Sequence, residues 1–177
     1  MKEDLLEIIQ NYGVLNQLEY YQSEVWELDN AIQEYEMFLI LCDVDYDSVT
    51  ISSKQDFKKH IAEELADNFV MLYQFKEYYK LDLELSKEII TFDSNPLRYL
   101  KIFFKDVHRL NRKIIEIEAL EKHIDYIDRV ELTGLLQLVL YELKQFQVYY
   151  GITDEEIEDV MKYKILRQKE RMKNESN

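Results

Sequence analysis

Glycine and proline are nearly missing from this chain. It has three glycines and one proline in 177 residues, where the two together make up about 12% of an average protein. Sheet turns depend on both, which argues against sandwiches and barrels. Glycine-rich phosphate loops go with them, since neither G-x-x-x-x-G-K nor G-x-G-x-x-G occurs. The single cysteine, Cys42, rules out an intrachain disulfide and agrees with a reducing, cytoplasmic setting. Long apolar runs are missing too. The longest, Met37 to Cys42, is far short of the roughly 20 residues that span a bilayer. The opening Met1-Lys2-Glu3-Asp4 has no signal-peptide pattern. Positive charge is scarce: 22 Lys and Arg stand against 36 Asp and Glu, a net −14. Such a surface repels nucleic-acid phosphates. Neither nucleic acid nor membrane is therefore expected as a partner.

Apolar residues are plentiful, at 47%, so the chain can bury a core. Their spacing predicts long helices. Leu18, Tyr21, Val25, Leu28, Ile32, Tyr35 and Leu39 form a stripe of threes and fours from Val14 to about Leu41. A polar, acidic connection, Cys42 to Ser52, follows. A second helix is expected from Lys54 to about Leu81, opened by a capping box of Ser53 and Asp56. A short helix is expected over Leu83 to Ile90 and a joint over Thr91 to Asn95. Pro96 suits the first turn of a third long helix reaching about Lys122. Asp128 and Glu131 are candidate caps of a fourth helix, which ends near Gly151. Thr153 and Glu156 form a capping box for a last helix through about Lys173, and residues 1–12 suit a short leading helix. The expected fold is all-α. It is one domain over 1–177 with a four-helix-bundle-like core of long antiparallel helices: a hairpin at 14–81, a second at 96–150, and a basic C-terminal helix at 153–173. Glu24 to Leu28 resembles Asp106 to Leu110, and Phe75 to Tyr79 resembles Phe146 to Tyr150. The two hairpins therefore read either as a degenerate duplication or as unrelated helices with similar stripes.

The chemistry concentrates in two acidic dyads. Glu24 and Glu27 lie three apart on the first long helix, and Glu64 and Asp67 lie three apart on the second. Each pair shares one helical face. Glu24 and Glu64 each immediately precede a stripe residue, so both flank the buried seam. In an antiparallel pair they fall on the same side of it. Four carboxylates gathered there repel one another unless protonated or neutralised by a cation. An all-oxygen set suits a hard ion, Mg²⁺ or Mn²⁺, and not zinc. The alternative is a solvated acidic face. Asn68 stands on the stripe itself, where it would either orient a carboxylate, line a ligand cleft or hydrogen-bond across the bundle. Lys164, Arg167 and Arg171 share one face of the last helix. They would either meet phosphates or remain a solvated basic end. Trp26 would stack on a base or simply pack. His60, His108 and His123 lack zinc-ligand spacing.

At these residues the chain resembles the all-α nucleoside triphosphate pyrophosphohydrolases, the superfamily of MazG and the dimeric dUTPases. Their hallmark is E-x-x-E on one helix and E-x-x-D on the next. Here these read SEVWEL, Ser23 to Leu28, and EELADNFVML, Glu63 to Leu72. YGITDEEIEDVMKYKILRQKER, Tyr150 to Arg171, resembles the family's closing helix. Ser23 departs from the frequent Glu-Glu-x-x-Glu pattern, and the stretch 28–63 is longer than in compact members. The resemblance implies hydrolysis of a nucleoside triphosphate between the α and β phosphates, with Mg²⁺ (or Mn²⁺) as cofactor. It implies metal binding by Glu24, Glu27, Glu64 and Asp67, with Glu64 or Glu63 helping to deprotonate water. Substrate contacts would fall to Asn68, Lys164, Arg167 and Arg171. A homodimer is expected as well, although a duplicated chain could itself supply both halves of a bundle. The second hairpin lacks the set: Arg109 stands in place of Glu27, and Leu135 and Leu138 in place of Glu64 and Asp67. The competing readings are a non-catalytic helical interaction protein and a di-iron bundle. The latter normally needs E-x-x-H pairs, which the dyads lack.

Overall fold

The computed structural model describes residues 1–44, 51–83, 95–120 and 124–175. Among them the fold is all-α, with six helices and no strand: α1 (Lys2–Tyr12), α2 (Val14–Val44), α3 (Ile51–Tyr78), α4 (Pro96–Ala119), α5 (Tyr126–Tyr149) and α6 (Asp154–Glu175).

Side-chain pairings give the topology. Tyr21 meets Phe75 and Tyr35 meets Phe57, so α2 and α3 run antiparallel. Tyr99 meets Phe146 while Lys113 meets Asp128, so α4 and α5 do the same. Lys58 reaches the carbonyl of Gly151, and Arg129 reaches that of Tyr79, which sets α5 antiparallel to α3. The α2 helix also packs on α4. The four helices close a ring in the order α2, α3, α5, α4. Both expected hairpins are present. The α6 helix lies along α3 in the same direction, since Lys58 meets Glu156 and Gln74 meets Gln168. The α1 helix also packs on α3 and touches α6 and α2.

The apolar stripes explain this arrangement. Leu18, Tyr21, Val25, Leu28 and Ile32 are buried, as are Ile61, Leu65, Leu72 and Phe75. In the second hairpin the same holds for Phe103, Val107, Leu110, Ile114, Val139, Leu143 and Phe146. Each such side chain contributes roughly 1.5–3 kcal/mol relative to exposure.

Several ends match the sequence reading. Pro96 opens α4, where Asn95 accepts from the Leu97 amide at 2.8 Å. Gly151 takes φ +62°, a region that favours glycine, and its neighbour Ile152 donates to the Gln147 carbonyl. Thr153 and Glu156 cap each other across the start of α6, at 2.6 and 3.1 Å. Gly13, at φ +84°, is the joint between α1 and α2. Two caps differ. The α3 helix starts at Ile51, so Ser53 and Asp56 lie inside it and not at its opening. Of the connection expected over Cys42 to Ser52, residues 42–44 belong to α2 and 51–52 to α3, and the rest lies outside the described residues. The α5 helix is capped by Asp125, which accepts from the Asp128 amide at 2.8 Å, and not by Asp128 or Glu131. Those two carboxylates bind Lys113 of α4 instead. The α4 helix stops at Ala119, earlier than expected. The short helix expected over Leu83 to Ile90 lies, beyond Leu83, outside the described residues, as does the joint through Ser94.

Candidate metal centre

The α2 and α3 helices bring the dyads together at one level. Asn68 shows this directly. It is fully buried, and its amide nitrogen donates to the carbonyls of Glu24 and Glu64, each at 2.9 Å. One side chain thus ties the two site helices at the two leading glutamates. The cross-bundle hydrogen bond, one of the three roles open to Asn68, is made. Its oxygen remains buried without a partner.

One carboxylate oxygen each from Glu24, Glu27 and Glu64 lies within 4.8 Å of the others. Oxygens on opposite sides of an octahedral Mg²⁺ stand about 4.2 Å apart, and around Ca²⁺ about 5 Å. Three oxygens this close form a candidate cation site. The burial is graded: Glu64 is 7% exposed, Glu24 half-buried and Glu27 exposed. Glu64 is the anchor, and its Oε2 is buried with no hydrogen-bond partner. A buried oxygen of this kind needs a proton or a cation.

Electrostatics agree. Burial, reinforced by Asp67, Glu27 and Glu64, pushes the Glu24 carboxyl up to about 8. Burial, then Asp67 and Glu27, pushes Glu64 up to about 6. His60 lies 3.4 Å from Glu64 Oε1, a neighbour that ligand-spacing rules did not single out.

Asp67 stands differently. It does not belong to the triad of close oxygens. Its Oδ2 accepts from the ammonium of Lys164, brought across by α6. Burial raises the Asp67 carboxyl in spite of this ammonium. Burial alone would lower Lys164, but the hydrogen bond to Asp67 and the charges of Glu64 and Glu24 hold it above its ordinary value. Of the three basic residues expected to share a face, Lys164 reaches the acidic centre. Arg167 and Arg171 are exposed, and Arg171 lies near Tyr12 of α1. Glu63 is outside the triad, 40% exposed and 3.9 Å from Lys59. Trp26 packs its ring on Phe104 of α4 at 5.6 Å while remaining largely exposed.

The second hairpin holds a pair of carboxyls, of which the alignment to the first brings out Asp106, opposite Glu24, but not Glu142. Asp106 and Glu142 are buried and hydrogen-bonded to each other. Arg109 donates to Asp106 at 2.8 Å, which gives it an ion-pair role. Burial, then the Asp106 charge, pushes Glu142 up to about 8. Glu142 sits among the buried residues Val139, Leu143 and Phe146, and a polar residue on an apolar stripe was its signal. Leu135 is buried and Leu138 partly so.

A cavity of about 650 Å³ lies between α5 and α6, floored by Phe69 and Tyr73 of α3. None of the triad lines it, so volume and chemistry occupy different places. The carboxylate geometry identifies the candidate site, because it supplies the groups a hard ion needs. No helix among the described residues is long and apolar enough to cross a membrane. No family model, curated protein or solved structure matches the chain.

Proposed function

We propose that the chain is a Mg²⁺-dependent nucleoside triphosphate pyrophosphohydrolase. It would add water across the bond between the α and β phosphates and release a nucleoside monophosphate and pyrophosphate. The observation that carries this reading is the Glu24, Glu27 and Glu64 triad with its buried, unpartnered Glu64 oxygen. Mg²⁺, or Mn²⁺ in its place, would neutralise phosphate charge and make a bound water more acidic. Glu24, Glu27 and Glu64 would hold that ion, and Asn68 keeps their two helices in register. Glu64, pushed up to about 6, is suited to accept a proton from water near neutral pH. Glu63 is the second candidate for that role. Lys164 supplies positive charge at the edge of the centre, with Arg167 and Arg171 further along α6. The setting is the cytoplasmic nucleotide pool, and the assembly a homodimer.

The test is a panel of ordinary and modified nucleoside triphosphates with products resolved by chromatography. Pyrophosphate and monophosphate are expected. Release of orthophosphate would contradict the proposed bond cleavage. A second reading, a helical interaction protein, is favoured by one observation. Tyr126, Ile127 and Val130 at the start of α5 are 80%, 73% and 54% exposed. Absence of turnover across the whole panel would shift the account to that reading.

A further inference from the structure

We propose that Lys164 is a built-in counter-ion that competes with a divalent cation for the acidic centre, which couples the seating of α6 on α3 to cation occupancy. This inference rests on the metal-centre reading and goes beyond it. Four carboxylates converge where α2 meets α3, yet only three have oxygens close enough to share an ion. The fourth, Asp67, is already neutralised by the Lys164 ammonium. Both ends of that pair are mostly buried, at 22% and 14% exposure, so water screens it weakly. The ammonium also acts on Glu64 and Glu24. It therefore lowers the negative potential that would draw a cation to the triad. Lys164 belongs to an anchored helix. Lys169, five residues on, binds Asp4 and Glu7 of α1, the latter at 3.0 Å, and Gln168 meets Gln74 of α3. Drawing Lys164 away from Asp67 releases a carboxylate to the centre and loosens one tie of α6. A polyanion that engages the ammonium does both at once, so the cation is held more tightly when a polyphosphate is present than when it is absent.

The test is Mn²⁺ binding to the full chain, followed by the electron paramagnetic resonance of free Mn²⁺. Lys164→Met is expected to bind Mn²⁺ at least about tenfold more tightly than the wild type, because a unit charge a few ångströms away at an effective dielectric near 20 is worth that much or more. Lys164→Arg, which keeps the charge, is expected to bind as the wild type does. The double variant Asp67→Asn with Lys164→Met is expected to lose the gain, since Asp67 is the carboxylate set free. Lys164→Gln is expected to behave as Lys164→Met and replaces it if circular dichroism shows that the latter does not fold. Wild-type binding with no gain in either neutral variant overturns the competition and leaves the metal centre standing. A Lys164 that served only as a structural strut or a phosphate contact would give that result. No saturable binding to any form overturns both.

Discussion

The bundle carries two clusters of facing carboxyl groups, and they solve the same electrostatic problem differently. At α2 and α3 the carboxylates stand on the flank of the seam. One is buried, one half-buried and one exposed, and an ammonium borders them. At α4 and α5, Asp106 and Glu142 lie inside, 6% and 2% exposed. There the repulsion is relieved by a proton held on Glu142 and by Arg109 on Asp106. A graded, partly open cluster can exchange its proton for a cation, whereas a closed pair keeps its proton. The difference is one of register: Glu24 and Glu64 precede stripe residues, and Glu142 stands on the stripe.

Substitution at the two anchors separates these roles most strongly. Glu64→Gln removes a charged ligand and is expected to lower turnover by about 10²-fold or more, measured as pyrophosphate release, with the helical circular dichroism unchanged. Glu142→Gln should retain turnover within about threefold. Equal losses in both would erase the distinction.

The next effect is on stability against pH. The folded Glu142 carboxyl is pushed up to about 8 from its ordinary value of 4.5. The folded state thus holds a proton that the unfolded chain has released. Its stabilisation is complete below about 4.5, declines as pH rises and is gone above about 8. Glu142→Gln is expected to flatten this decline and to melt several degrees above the wild type at pH 9. An unchanged pH slope would mean that the pair does not share a proton.

Asn68→Ala comes next. It deletes one hydrogen bond from α3 to α2 and one within α3 and is expected to cost about 1–3 kcal/mol, read from denaturant unfolding. The smallest effect is expected at Arg171, which is exposed and lies by α1. Arg171→Ala should raise KM by no more than about threefold, as suits a screened surface charge. A tenfold rise would place the substrate much further along α6.

Much of this was legible in the residues. The stripes fixed the long helices, because apolar spacing of three and four leaves one way to bury them. Register alone put Glu24 and Glu64 on a common flank. Gly151, Pro96 and the Thr153–Glu156 box marked ends whose chemistry is local. The failures were tertiary. Ser53 looked like a cap, but α3 already starts at Ile51. Asp128 and Glu131 looked like caps, but Lys113 from another helix claims them. Asp67 reads as one of four gathered carboxylates, and only the placement of α6 shows that Lys164 pairs with it. The Asp106–Glu142 pair joins residues 36 positions apart, on helices whose mutual register no local spacing records.

The most direct test is calorimetric titration of Mg²⁺ into the wild type, Glu64→Gln and Glu142→Gln at neutral pH. Saturable binding is expected in the wild type and in Glu142→Gln, and is expected to be lost in Glu64→Gln. Absence of saturable binding in the wild type, or its survival undiminished in Glu64→Gln, would contradict a metal centre at α2 and α3.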